Sequence, residues 1–77
     1  MKLAVGIKML DFIATKNPNL AVSPAYVEAE QILHKDPAAI DYKEKMELLD
    51  KLEALCIVAG VSYGRLLEKA FEEVEGK

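Results

Sequence analysis

The chain has 77 residues, 52% apolar and 30% charged, with a formal net charge of −3. That length allows one domain, 1–77, and the balance of apolar and charged residues argues against intrinsic disorder, while no apolar run reaches the ~18 residues of a membrane span. Cys56 and His34 are the only cysteine and histidine, which excludes an intrachain disulfide and a thiolate-rich zinc centre.

The whole charge deficit lies in the second half. Residues 1–40 carry four basic and four acidic side chains, and residues 41–77 carry six basic against nine acidic. Such a half is a poor platform for a phosphate backbone. A lone cysteine at an apolar position fits a reducing compartment, so a cytoplasmic location is expected. Lys8 and Asp11 interrupt the apolar N-terminus, which is therefore read as part of the fold and not as a signal peptide.

The first helix is expected from about Lys2 to Thr15. Leu3, Ile7, Leu10 and Ile13 make one stripe and Val5, Met9 and Phe12 a second, leaving a narrow polar line through Ala4, Lys8, Asp11 and Thr15. A helix this apolar requires cover on more than one side. Asn17-Pro18-Asn19 stops it, because proline disfavours helical geometry in the residue before it.

Ser23 and Pro24 start the second helix, the hydroxyl capping free N–H groups and the proline sitting in the first turn, where its missing donor costs nothing. Ala25, Tyr26, Ala29, Ile32 and Leu33 face inward, and Asp36-Pro37 marks the exit. Asp41 and Glu44 match a reciprocal capping box for the third helix. Its inner stripe is Met46, Leu49, Leu52, Cys56 and Ala59, widened by Leu48 and Leu55. No polar side chain occurs from Leu55 to Ala59, so the helix should pass from half-exposed to buried.

Gly60 ends that helix by taking the left-handed conformation, and Ser62 caps the next one almost at once. The fourth helix has Tyr63, Leu66, Leu67, Ala70, Phe71 and Val74 inside, with Arg65, Glu68, Lys69, Glu72 and Glu73 outside. The expected fold is all-α: a small bundle of about four short helices, the last two joined by a tight glycine turn.

Catalytic groups are scarce. His34 has only Ser23, Ser62, Thr15 or Cys56 as prospective partners; the two serines are caps and Cys56 lies on an apolar stripe, where its thiol is inert. No enzyme activity is expected. Two carboxylate sets, Glu44, Glu47 and Asp50, and Glu68, Glu72 and Glu73, lack histidine at ligand spacing and read as solvated helix faces. No metal or cofactor is implied.

The most specific local pattern runs from Leu55 to Leu66. It has a small residue four before the turn glycine, an apolar residue after it, a capping serine, and an apolar residue six past the glycine. This resembles the helix-turn-helix family, which implies a DNA-binding regulator spanning residues 52–75, with Tyr63, Arg65 and Lys69 on the recognition helix. Three features depart from the family: Lys69 stands where it has an apolar residue, the preceding helix is long, and the reading helix is acidic beyond Lys69. A glycine-turn helical hairpin gives the same local sequence for packing reasons.

The surplus of apolar helix points elsewhere. Four short helices wrap one central element, so either the first helix or the Leu55–Ala59 segment is the centre, or apolar surface remains. Leftover surface above a few hundred Å² marks an association site. The favoured expectation is a non-enzymatic protein-interaction module (an adaptor, inhibitor or regulator) with Val5, Met9, Phe12 and Ile57 as contacts. A protein partner or a second copy is expected, a homodimer ahead of a monomer, with neither nucleic acid nor a membrane as the favoured partner.

Overall fold

Four α-helices carry the chain: α1 (Leu3–Lys16), α2 (Pro24–Leu33), α3 (Tyr42–Ala59) and α4 (Tyr63–Glu75). Two 3-10 turns, Pro18–Val22 and Pro37–Ala39, join the first three, and there is no strand among the described residues. The structure is a computed structural model that describes residues 3–76, so the expected helix start at Lys2 lies outside it. No described helix is long and apolar enough to cross a membrane.

The helix ends follow local chemistry. Ser23 accepts from the Tyr26 N–H, and its own hydroxyl donates to the Leu20 carbonyl at 2.8 Å, tying the 3-10 turn to α2. Asp41 accepts from the Glu44 N–H at 2.8 Å. The reciprocal half of that capping box is replaced, because the Glu44 carboxylate pairs instead with Lys35 across the α2–α3 connection. Gly60 sits at φ 74°, the Gly60 N–H donates to the Ile57 carbonyl and the Val61 N–H to Cys56, which together form a Schellman close of α3. Ser62 then accepts from the Arg65 N–H and starts α4.

Cross-helix contacts give an up-down-up-down order. Gly6 of α1 lies so close to α2 that a Cβ there would meet the Leu33 Cδ2 at 2.7 Å, and the Tyr26 hydroxyl donates to the Leu10 carbonyl in the interior. Lys51 pairs with Glu28 at 2.9 Å, which with Lys35–Glu44 runs α3 antiparallel to α2. Lys8 pairs with Glu73 at 3.7 Å, and the Lys69 ammonium stands 4.9 Å from the Phe12 ring centre, which runs α4 antiparallel to α1.

The central element is α1. It packs on α2, α3 and α4, whereas α4 leans on α1 far more than on α3. Val5, Met9, Leu10 and Ile13 are buried with Tyr26, Ala29 and Leu33 of α2, Leu48, Leu52, Leu55 and Cys56 of α3, and Leu66 and Ala70 of α4. The Cα envelope measures 31 × 31 × 16 Å, so the thin direction holds about two helix layers at the usual ~8–10 Å spacing. No third layer covers the outer face of α3.

Three expected positions differ. Met46 is 42% exposed, Phe71 is 50% exposed, and the Leu55–Ala59 segment is not wholly buried. On α3 the reason is geometric: Leu48, Leu52, Leu55, Cys56 and Ala59 already fill the single face that meets the bundle, so residues on its other faces turn outward. Phe71 stays half-exposed because α4, packed mainly on α1, buries only Leu66 and Ala70. The 3-10 turn Pro18–Val22 was expected only as a chain reversal; it tucks Leu20 and Ala21 partly against the core and leaves Val22 in solvent.

Candidate functional site

The outer face of α3 changes character along its length. Lys43, Glu47 and Asp50 are exposed in its first half; Ala54, Ile57 and Val58 are exposed at its end, Ile57 at 74% and Val58 at 65%. A helical residue exposed to that degree has no side chain packed over it. The Lys35–Glu44 and Glu28–Lys51 pairs fix the antiparallel register of α2 and α3, and continuing it past the start of α2 brings Val22, 82% exposed, to the level of Ile57 and Val58. One end of the bundle, where α1 and α3 finish and α2 and α4 begin, thus gathers Val22, Ile57 and Val58.

At the same end a crevice of about 280 Å³ opens between the close of α1 and the start of α4. Phe12, Ile13, Val61 and Leu66 make its apolar lining, and Thr15, Lys16 and Lys69 stand around them. Val61 belongs to the turn after Ile57 and Val58, so crevice and patch are joined through the Gly60 turn. A second crevice, of about 220 Å³, lies between Leu3 and the first turns of α3, bordered by the exposed Tyr42 and Met46.

Of the four expected protein contacts, the structure divides two from two. Val5 is 1% exposed and Met9 is 0% exposed; both belong to the centre of the core, and neither presents a surface. Phe12 is partly buried and lines the crevice under Lys69, while Ile57 is solvent-facing. The second apolar stripe of α1 thus meets other helices, and most of the exposed large apolar side chains, Tyr42, Met46, Ile57 and Val58, are on α3.

Of the three recognition-helix residues, Arg65 and Lys69 are exposed one turn apart on α4, and Tyr63 is not on that face. Tyr63 is partly buried, and its phenol is pushed above its ordinary range by burial and then by the neighbouring Cys56 and Glu53. Arg65 is exposed, and Lys69 is drawn over Phe12. The other charged residues exposed on α4 are Glu68, Glu72, Glu73 and Glu75, with Phe71 half-exposed among them.

Burial, and then the charge of Glu53, raise the pKa of the Cys56 thiol, which suppresses the thiolate needed for nucleophilic or redox work. His34 closes α2 at the end of the bundle opposite Ser62, and both serines serve as caps. Among the described residues no group of three or more His, Cys, Asp or Glu is arranged to hold a metal ion.

Sequence reasoning missed both crevices. Phe12 and Lys69 come from opposite ends of the chain, and no spacing rule brings them together. The available signal was Lys69 itself, a charge where the helix-turn-helix pattern has an apolar residue. Comparison with known protein families, with curated proteins and with solved structures finds no match to this chain.

Proposed function

We propose that this chain is a non-enzymatic protein-interaction module, an adaptor, inhibitor or regulator, that associates through the apolar end of its bundle. The observation that carries the reading is the uncovered close of α3, where Ile57 and Val58 lie in solvent beside Ala54 and level with Val22. Each fully covered aliphatic side chain of this size contributes about 1.5–3 kcal/mol, so burying two or three against a partner gives a driving force that a monomer leaves unused. Among the described residues no nucleophile stands exposed beside a base, which supports a binding role over a catalytic one.

Self-association through this face is the first form expected. Light scattering on the full chain across a concentration series, repeated on Ile57→Asp, tests it. The parent should gain mass with concentration, and the variant should remain monomeric, with the thermal midpoint of the parent at a dilution where the parent is also monomeric, because position 57 makes no core contact. A parent that is monomeric throughout and captures no protein in a pull-down sensitive to Ile57→Asp rejects the module.

The α3–Gly60–α4 connection supports a second reading, a small helix-turn-helix regulator contacting DNA through Tyr63, Arg65 and Lys69. A three-residue turn with a left-handed glycine suits that motif. The carboxylates of α4 count against it, since a phosphate backbone is held by cations. A mobility shift on mixed duplexes at low ionic strength separates the readings; absence of a shift there removes DNA binding, because phosphate contacts are strongest at low salt.

A further inference from the structure

We infer that the crevice between α1 and α4 is a receptor for one bulky apolar side chain flanked by carboxylates, supplied by an acidic segment of a partner protein. The inference rests on the reading of this chain as an interaction module and names the chemistry of its partner. Phe12, Ile13, Val61 and Leu66 supply an apolar lining with no acidic residue among them, and Lys16 and Lys69 add positive charge beside it. The volume, about 280 Å³, falls just below the ~300–1,000 Å³ of pockets that enclose a whole small ligand. It suits a single anchoring side chain of the kind that dominates protein interfaces.

Charge complementarity selects the flanks. Lys8, Lys35 and Lys51 are each matched to a carboxylate, whereas among the described residues Lys16, Arg65 and Lys69 at this end, and Lys43 and Lys45 at the start of α3, have none within ion-pair distance. In a chain of net charge −3, Lys16, Arg65 and Lys69 thus stand at the end that holds this crevice, and two of them line it with no carboxylate among the lining residues. The 4.9 Å approach of the Lys69 ammonium to the Phe12 ring places that cation at the crevice. A carboxylate beside an inserted apolar group would reach Lys16 or Lys69 while its apolar neighbour covers Leu66 and Val61. A nucleic-acid backbone would satisfy the cations but leave the apolar lining empty, which is why an acidic peptide is the better fit.

The test is a titration of the isotope-labelled full chain, followed by backbone amide NMR, with an acetylated, amidated pentapeptide of sequence Glu-Glu-Phe-Glu-Glu. Controls are the same peptide with Gln for Glu, the same peptide with Ala for Phe, and a mixed-sequence DNA duplex. Saturable shifts at Thr15, Lys16, Val61 and Lys69, weakening with salt, are expected. The Gln peptide and the Lys16→Glu/Lys69→Gln variant should each bind roughly three- to tenfold more weakly, and the Ala peptide roughly tenfold more weakly or worse. A thermal midpoint for the variant confirms that it is folded.

No shifts at millimolar peptide, or equal binding of the Glu and Gln peptides, overturns the inference. Displacement of the peptide from the same amides by the duplex overturns it too, and reassigns the cations to phosphate. These failures are distinct from failure of the module, which is read at Ile57 by solution mass and not at the crevice.

Discussion

Two stretches of this chain have almost the same composition and opposite surroundings. Residues 3–14 of α1 and 54–61 at the end of α3 are both apolar nearly all round, yet the first is the enclosed axis of the bundle and the second is covered on one side only. The difference lies in neighbours. Three helices close around α1, whereas α3 stands in a slab about two helices thick with no fifth element outside it. How oily a segment is says how much cover it would accept, and only the count and placement of its partners says how much it receives. The uncovered remainder is where a further chain adds stability.

Truncation gives the largest contrast between the two. Met9→Ala removes a fully enclosed side chain and should cost about 2–5 kcal/mol, whereas Ile57→Ala at a solvent-facing site should stay within about 0.5 kcal/mol in dilute monomer. Urea unfolding midpoints at equal slope measure both. Comparable losses would mean that the end of α3 is enclosed in solution, either by the chain itself or by a second copy, and a dilution series distinguishes those cases.

Gly6 sharpens the same comparison from the α1 side. Its missing Cβ is what lets the Leu33 side chain lie against the α1 backbone, so Gly6→Val forces two methyls into a packed contact and should destabilise by about 1–3 kcal/mol despite removing a helix-interior glycine. At the end of α3 the limit is backbone and not space. A Cβ at Gly60 meets nothing within 4 Å, but the residue sits at φ 74°, so Gly60→Ala should lower stability by about 1 kcal/mol through the left-handed conformation alone. Thermal or urea unfolding reads both. A Gly6→Val chain as stable as the parent would contradict the close α1–α2 approach.

The parts legible in the sequence are those decided within a few residues. Ser23, Asp41, Ser62 and Gly60 mark helix ends because a cap needs only its own side chain or conformation, and the structure places them at those ends. The centrality of α1 was legible only as one of three outcomes of the apolar surplus, and the favoured outcome placed Val5 and Met9 at a surface where the structure buries them. The bare face of α3 was legible in part: helical spacing put Cys56 on the inner stripe and left Ile57 outside it, but it also put Met46 inside, where only the packing of the other helices decides that it stays exposed. The crevice was less legible still: Phe12, Val61 and Lys69 lie on three separate elements, and Lys69 reads along α4 as an ordinary solvated cation. The 3-10 turn Pro18–Val22 escaped because a piece this short has no 3.6-residue period to detect.

The smallest expected effect is in alkaline stability, and it again contrasts an inward with an outward neighbour on α3. Cys56 faces the core, and burial, followed by the Glu53 charge, raises its thiol above the ordinary 9.0. A raised acid loses its proton more easily in the unfolded chain, so the stability it contributes is complete below about pH 9 and declines as pH climbs from there toward the folded value. Tyr26 and Tyr63, raised chiefly by burial, extend the decline from their ordinary 10.0 upward. Urea midpoints should therefore be level from about pH 7 to 8.5 and fall above it, the thiol adding a slope of less than about 1.4 kcal/mol per pH unit. In Cys56→Ala the absolute midpoint drops at every pH from the cavity, but the segment between about pH 9 and 10 should flatten, leaving the phenol-dependent fall above it. An unchanged slope in the variant would mean that the thiol ionises as freely in the folded chain as in the unfolded one, and that the inner face of α3 is wetter than its burial implies.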